Sequence, residues 1–332
     1  MGIRLGSLLN AEGFIRMSMT DNGMAFVFPG QGSQSVGMMQ ELAASHPEVE
    51  QTFRAASDVL GYDLWRLVAE GPDERLNLTE LTQPAMLASS VAAYRVWEKV
   101  SDVRPGWMAG HSLGEYSALV CAGAIAFEDA VGLVAERARL MQGVVATGAG
   151  AMAAILGLDD PKVYAVCAAL SNAEEAVTPA NFNAPGQVVI AGHAASVARA
   201  VDALKAAGAK RAVLLPVSVP SHCPLMQGAA EKFREALAKV AIHEFTLPVV
   251  HNADVASHSA PEVIRAVLEK QLHSPVRWSD TIRFLYDQGV RRFIECGPGK
   301  VLVGLNKRIV KDANAEAVFN VDSLNKALEL VK

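Results

Sequence analysis

The chain has 332 residues, too many for one small core, so it reads as two domains or as one large domain carrying an insertion. Apolar residues make up 51% and charged residues 20%, which excludes a disordered chain. The formal charge of -5, from 30 basic and 35 acidic side chains, gives no nucleic-acid surface. No stretch offers the roughly 20 apolar residues that a membrane span needs. The four cysteines, Cys121, Cys167, Cys223 and Cys296, are far apart and form no C-x-x-C pair. That argues against a zinc site or a disulfide framework and for a cytoplasmic location.

Residues 1–22 hold several methionines, no strong pattern and no signal-peptide core with a cleavage site, and read as an N-terminal tail. Residues 24–28 are an apolar strand. They run into Pro29-Gly30-Gln31-Gly32-Ser33-Gln34, a tight loop that is either an anion-binding nest or an ordinary strand-to-helix turn. No G-K-[ST] follows, so it is not a Walker loop. Helices are predicted over 37–42, 47–59 and, shorter and more polar, 63–69 and 73–78. Thr82-Gln83-Pro84 marks the start of a long apolar helix over 85–100.

Trp107-Met108-Ala109 is a short apolar run that leads into Gly110-His111-Ser112-Leu113-Gly114, a G-x-S-x-G pattern, and 116–126 reads as a buried helix. In a nucleophile elbow the serine sits on a strained strand-to-helix turn, with glycines where a Cβ would crowd it. The helix N-terminus that follows can stabilise negative charge. The competing reading is local: Ser112 with Glu115 fits a capping box, S-x-x-E, that merely starts a helix.

The helix predicted over 127–142 carries Ala130, Val131, Leu133, Val134, Ala138 and Met141 on one face, and Arg137 lies on that same face. A buried guanidinium needs a partner. Either an internal Asp or Glu supplies a structural ion pair, or a ligand carboxylate takes the arginine fork.

Composition changes at 146–150. Strands over 151–156, 176–182, 187–191 and 210–215, with helices over 160–169 and 194–207, follow in the order β-α-β-β-α-β, a split βαβ unit. It reads as a small domain, 148–216, inserted into a larger one made of 23–147 and 217–332. Where it rejoins the main chain stands Ser221-His222-Cys223, bracketed by Pro220 and Pro224. His222 is the best candidate base for Ser112, since neutral imidazole has a suitable pKa. A strand over 247–250 runs into His251-Asn252. In the helix predicted over 261–272, Gln271 shares the face of Val263, Ile264, Val267 and Leu268 and points inward. A helix over 278–288, a strand over 290–295, Gly297-Pro298-Gly299, a helix over 301–309 and a final edge strand over 319–322 complete the chain.

Together, the blocks at 28–34, 110–116, 181–187, 219–222 and 295–299, with the helix carrying Arg137, make the chain resemble the malonyl-CoA:acyl carrier protein transacylases of bacterial type II fatty-acid synthesis. The match runs from about Met24 to the C-terminus. The resemblance implies an α/β fold, with a large α/β-hydrolase-like domain built on a parallel sheet and an inserted small ferredoxin-like domain. It implies that Ser112 is acylated, that His222 is the general base, and that the N–H groups of Gln31 and Leu113 form the oxyanion hole. Arg137 would bind the malonyl carboxylate, with Asn181 and Asn183 also in the substrate-binding set, and the Gln271 carbonyl would orient His222. It implies no metal and no cofactor beyond the substrates, malonyl-CoA and phosphopantetheinylated acyl carrier protein. The carrier is acidic, so a basic patch drawn from Lys205, Lys210, Arg211, Arg291, Arg292 and Lys300 is expected near the cleft. A monomer is the default. Transferases of polyketide synthesis or of malonate decarboxylase, a serine thioesterase and a non-catalytic carrier-docking module are the alternatives.

Overall fold

The computed structural model describes residues 4–9, 15–146, 148–172, 174–217 and 219–332, with side chains from residue 19 onward. Its ten strands among these residues are β1 (Arg4–Leu9), β2 (Ile15–Phe28), β3 (Val103–Gly110), β4 (Gly150–Leu156), β5 (Val177–Ala184), β6 (Gln187–His193), β7 (Arg211–Leu214), β8 (Val249–Val250), β9 (Arg292–Cys296) and β10 (Asn314–Val318). The large sheet has the order β10-β9-β2-β3-β8 with every neighbouring pair parallel. The segment read as a tail contributes β1, which pairs antiparallel with the first part of β2.

Strand patterning explains why this sheet is buried on both sides. Met24, Phe26 and Phe28 pack into one core, while Ala25 and Val27 pack into the other. Met108 and Ala109 divide the same way, as do Val249 and Val250, and Ile294 and Phe293. Alternate side chains leave a strand on opposite faces, so a continuous apolar run is what a strand covered by helices on both faces requires. One face carries the helix Thr79–Val100, whose Trp97 ring meets Phe26 edge-on at 5.2 Å and donates its Nε1–H to the Val103 carbonyl at 2.8 Å. The other carries the helix Trp278–Asp287.

The small sheet has the order β5-β6-β4-β7, all antiparallel, which is the split βαβ arrangement expected from the sequence. The helices Asp160–Leu170 and Ala194–Ala206 cover one face, where Ala153, Ile155, Val188 and Ile190 meet Val163, Val197 and Leu204. The opposite face presents Met152, Val189 and Ala191. Among the described residues no helix is long and apolar enough to cross a membrane, and all four cysteines are unpaired.

Two expectations are corrected. The long helix starts at Thr79, so Pro84 lies inside it; the Thr82 hydroxyl, donating to the Leu76 and Leu78 carbonyls, belongs to its first turn. The last edge strand is β10, ending at Val318, and 319–322 instead open the helix Val321–Leu330. Asn320 is the reason: its Oδ1 accepts from the Ser323 N–H at 2.9 Å and the Ser323 hydroxyl accepts from the Asn320 N–H at 3.0 Å, a reciprocal cap that starts a helix.

Replacing Trp97 with alanine removes a fully buried ring from the contact between helix and sheet. A loss of about 3–5 kcal/mol is expected, seen as a lower urea midpoint with an unchanged slope.

Candidate active site

The site begins where β3 ends. Gly110 closes the strand, Ser112 takes a left-handed backbone with φ of 52°, and the helix Gly114–Cys121 starts two residues later. The two glycines are sterically required. A Cβ on Gly110 would sit 1.8 Å from the Gly114 carbonyl carbon, and one on Gly114 would sit 2.0 Å from the Phe28 oxygen. Strain of this kind persists only when the surroundings over-determine it. Here the Ser112 N–H donates to Asn252 Oδ1 at 2.7 Å, Asn252 Nδ2 donates to the Gly110 carbonyl at 2.7 Å, and Gln271 Nε2 donates to the Ser112 carbonyl at 3.0 Å. The capping-box reading of Ser112 and Glu115 is not realised: the helix has no side-chain cap, and Glu115 is fully buried among His251, Asn252 and Gln271.

His222 also has a left-handed backbone, with φ of 61°, and its N–H donates to the Leu272 carbonyl at 3.0 Å. Its Nδ1 lies 2.8 Å from the Gln271 carbonyl, which can only accept, so Nδ1 carries the proton. Nε2 therefore turns a lone pair to Ser112 Oγ at 2.7 Å. Burial, followed by the Arg137 charge, pushes the imidazole pKa down to about 3. The ring is thus neutral and an acceptor at ordinary pH.

Arg137 comes from the helix Phe127–Gly143 and is 1% exposed. Nη1 donates to Gln83 Oε1 at 2.8 Å, and Nη2 to Gln271 Oε1 at 3.0 Å and Ser112 Oγ at 3.3 Å. The guanidinium lies 5.4 Å from the centroid of the Tyr116 ring. Every one of these acceptors is neutral, and no carboxylate among the described residues forms an ion pair with it, so the internal ion-pair reading has no partner here. Desolvation pushes its pKa down.

These groups open onto a pocket of 190 Å³, also lined by Gln31, Gln83, Leu113, Asn181 and Asn183 and walled by Met141, Met152, Val189, Leu215, Val217 and Val219. The N–H groups of Gln31 and Leu113 have no hydrogen-bond partner among the described residues. Asn183 Oδ1 is 2.8 Å from Nε2 of His111, whose ring packs on Trp278. Gln271 stands behind the pocket, touching His222 through its carbonyl and Arg137 through its amide. Among the described residues no group of three or more His, Cys, Asp or Glu side chains could hold a metal ion.

Sequence reasoning missed Gln83, Glu115, His251 and Asn252 as members of this site. Gln83 had a signal, an amide in an apolar helix that ends up 1% exposed. Asn252 had one too, at the mouth of β8 beside the elbow strand.

Fold and site together define an α/β protein with a serine elbow, the class in which acyl groups pass through a serine ester. Residues 25–328 match the family model described as the acyl transferase domain, and the chain belongs to that family. It is 55% identical over 306 residues to the malonyl CoA-acyl carrier protein transacylase of Escherichia coli (strain K12), covering 92% of this chain and 99% of that protein. The crystal structure of an acyl carrier protein S-malonyltransferase from Vibrio cholerae is 52% identical, covers 93% of this chain and all of that one, and has a TM-score of 0.89. A malonyl-transacylase solved in complex with its type II PKS acyl-carrier protein is 54% identical, covers 92% of this chain and 99% of that one, and has a TM-score of 0.91.

Asn252→Ala strips partners from two backbone groups of the elbow, at about 1–3 kcal/mol each. A lower melting temperature and slower labelling of Ser112 by a fluorophosphonate are expected, measured on the same preparation.

Proposed function

We propose that the chain moves the malonyl group from malonyl-CoA to the phosphopantetheine thiol of acyl carrier protein through a malonyl-Ser112 ester. The observation that carries this reading is Arg137: a buried, charged fork with only neutral partners, 3.3 Å from the hydroxyl to be acylated. A monoacid thioester leaves that charge as it is, whereas the free carboxylate of a malonyl group supplies a bidentate partner. The malonyl-transferring relatives support the same substrate.

In the first half-reaction His222 Nε2 takes the Ser112 proton as Oγ attacks the thioester carbonyl. The developing oxyanion is stabilised by the free N–H groups of Leu113 and Gln31, each such donor contributing on the order of 3 kcal/mol. The thiolate of coenzyme A leaves with the proton from His222, and malonyl-Ser112 remains. In the second half-reaction the carrier's thiol gives its proton to His222 and its sulfur attacks the ester. The tetrahedral intermediate collapses to malonyl-thioester, and Ser112 recovers its proton. The relative solved with an acyl-carrier protein supports a carrier as the second partner. Of the six basic residues considered for docking, Arg292 pairs with Asp21 at 2.5 Å, Arg291 stacks over Tyr286 and Lys205 lies 3.8 Å from Asp202, which leaves Lys210, Arg211 and Lys300 as the candidates.

Intact mass after brief exposure to malonyl-CoA tests the reading. A malonyl adduct is expected on the wild type, absent from Ser112→Ala and discharged onto acyl carrier protein; discharge to water alone would make it a thioesterase. Arg137→Ala is expected to lose malonyl transfer by at least about 30-fold in kcat/KM while acetyl transfer persists. Malonyl transfer at a near wild-type rate would remove the carboxylate-binding role.

The pH profile carries a sign. His222 acts in its neutral form, and its pKa is depressed to about 3, so kcat/KM for malonyl-CoA should fall only as pH drops towards that value. It should stay flat between about pH 5 and 7, where an ordinary imidazole titrates. In the malonyl-enzyme the acyl carboxylate offsets Arg137, the largest cause of the depression after burial, so the acid limb for carrier-protein transfer should lie at higher pH than that for malonyl-CoA. Pre-steady-state rates for each half-reaction across pH check this.

A further inference from the structure

Glu115 is fully buried, yet the chemistry above gives it no step. Its two oxygens accept three hydrogen bonds: Oε1 from His251 Nδ1 at 2.7 Å, and Oε2 from the Asn252 N–H at 2.9 Å and from Gln271 Nε2 at 2.8 Å. A buried carboxylate with three donors is costly to build and has a defined geometry.

The Gln271 contact is the informative one. A primary amide has a donor end and an acceptor end, and packing alone does not distinguish them. With Nε2 on Glu115 and on the Ser112 carbonyl, Oε1 faces Arg137 Nη2 at 3.0 Å. The reverse orientation would set two donors together at Arg137 and two acceptors together at Glu115. The carboxylate, together with the Ser112 carbonyl, therefore fixes which end of the amide Arg137 meets. It does so without touching the guanidinium, since a direct ion pair would occupy the fork that an acidic acyl group needs. Through Asn252 the same carboxylate also reaches the Ser112 N–H.

We infer that Glu115 is a positioning residue for substrate selection, orienting the Gln271 amide so that Arg137 stays held by neutral oxygens and open to a carboxylate. The inference rests on the malonyl-transfer reading and adds to it the residue that prepares Arg137. His251 makes a discriminating variant available. In Glu115→Gln the new amide can turn its NH2 towards His251, whose Nδ1 becomes the acceptor when the ring proton moves to Nε2, an atom without a partner among the described residues. The remaining carbonyl oxygen still accepts from Asn252 and Gln271.

The experiment measures the rates of Ser112 acylation by malonyl-CoA and by acetyl-CoA, by intact mass, for wild type, Glu115→Ala, Glu115→Gln, Gln271→Met and the double variant Glu115→Ala/Gln271→Met. Gln271→Met keeps the backbone carbonyl that holds His222. Glu115→Ala and Gln271→Met should each lower the malonyl-to-acetyl ratio by about tenfold or more, chiefly through KM for malonyl-CoA. The double variant should lose no more of the ratio than Gln271→Met alone, because both act through one amide. Glu115→Gln should keep the ratio within about threefold of wild type. A merely structural role lowers both rates by the same factor, and that result overturns the inference. So does a multiplicative double variant, or a folded Glu115→Gln that loses the ratio. Should Glu115→Ala fail to fold, Glu115→Gln and Gln271→Met decide: a ratio unchanged in Gln271→Met overturns the inference. Equal wild-type rates with both thioesters would overturn the functional reading and the inference with it, whereas a wild-type preference kept in Glu115→Ala overturns the inference alone.

Discussion

The buried charge of Arg137 is the constraint from which the rest of the site follows. Taking a guanidinium out of water costs several kcal/mol even after relaxation. The chain offsets that cost with neutral groups: two glutamine oxygens, a serine hydroxyl and the face of Tyr116. Such partners accept from Nη1 and Nη2, leave Nε without a partner among the described residues, and do not cancel the charge. The result is a fixed positive potential within hydrogen-bonding distance of Ser112. It acts on His222 as well, adding to burial in depressing the imidazole. On the proposed chemistry, substrate charge and base strength are therefore coupled through one side chain.

A charge held this way tolerates little movement, and the parallel sheet supplies the stiffness. Three helices bring the guanidinium and its two glutamine partners: Phe127–Gly143 brings Arg137, Thr79–Val100 brings Gln83 and Pro261–Gln271 brings Gln271. All three pack into the core on the side of the sheet lined by Met24, Phe26 and Phe28. Ser112 comes from the end of the sheet itself, where β3 turns, and Asn252 from just beyond the neighbouring strand β8. Every group at the pocket floor is thus referred to one rigid layer, which is how sub-ångström positions are kept on a polypeptide.

What was legible in the sequence was what local sterics or periodicity dictates. Gly110 and Gly114 announce the elbow because a side chain at either collides with backbone. Arg137 stood out because a charge broke an apolar helical stripe, and it proved to be buried. The continuous apolar run at 24–28 indicated a strand, and the inserted unit was readable from its element order. Other features needed three dimensions. Glu115 meets His251 and Asn252 from 136 and 137 residues away, and nothing in its own neighbourhood says so. Locally it completes an S-x-x-E cap, so the same four residues satisfied two readings and only packing decided between them. Asn320 was misread for a similar reason: Phe319 and Val321 alternate like a strand, whereas the helix-starting information lay in the polar pair Asn320 and Ser323.

The two sheets divide the work at the pocket. The floor, with Ser112, Arg137 and His222, belongs to the large sheet and its connections and is polar and charged. Much of the wall comes from the small sheet and the segment leading out of it, where Met152, Val189, Leu215, Val217 and Val219 are apolar. Alternation along β4 and β6 makes this possible, since Ala153 and Val188 turn to the helices while Met152 and Val189 turn to the pocket. On the proposed chemistry the two thiols that visit the site share one extended, uncharged pantetheine arm, and the acyl group they exchange carries the charge. An apolar wall serves either arm without distinguishing them, while the charged floor distinguishes one acyl group from another. Tolerance and selectivity then reside on different elements, so each can be strict or permissive without compromising the other.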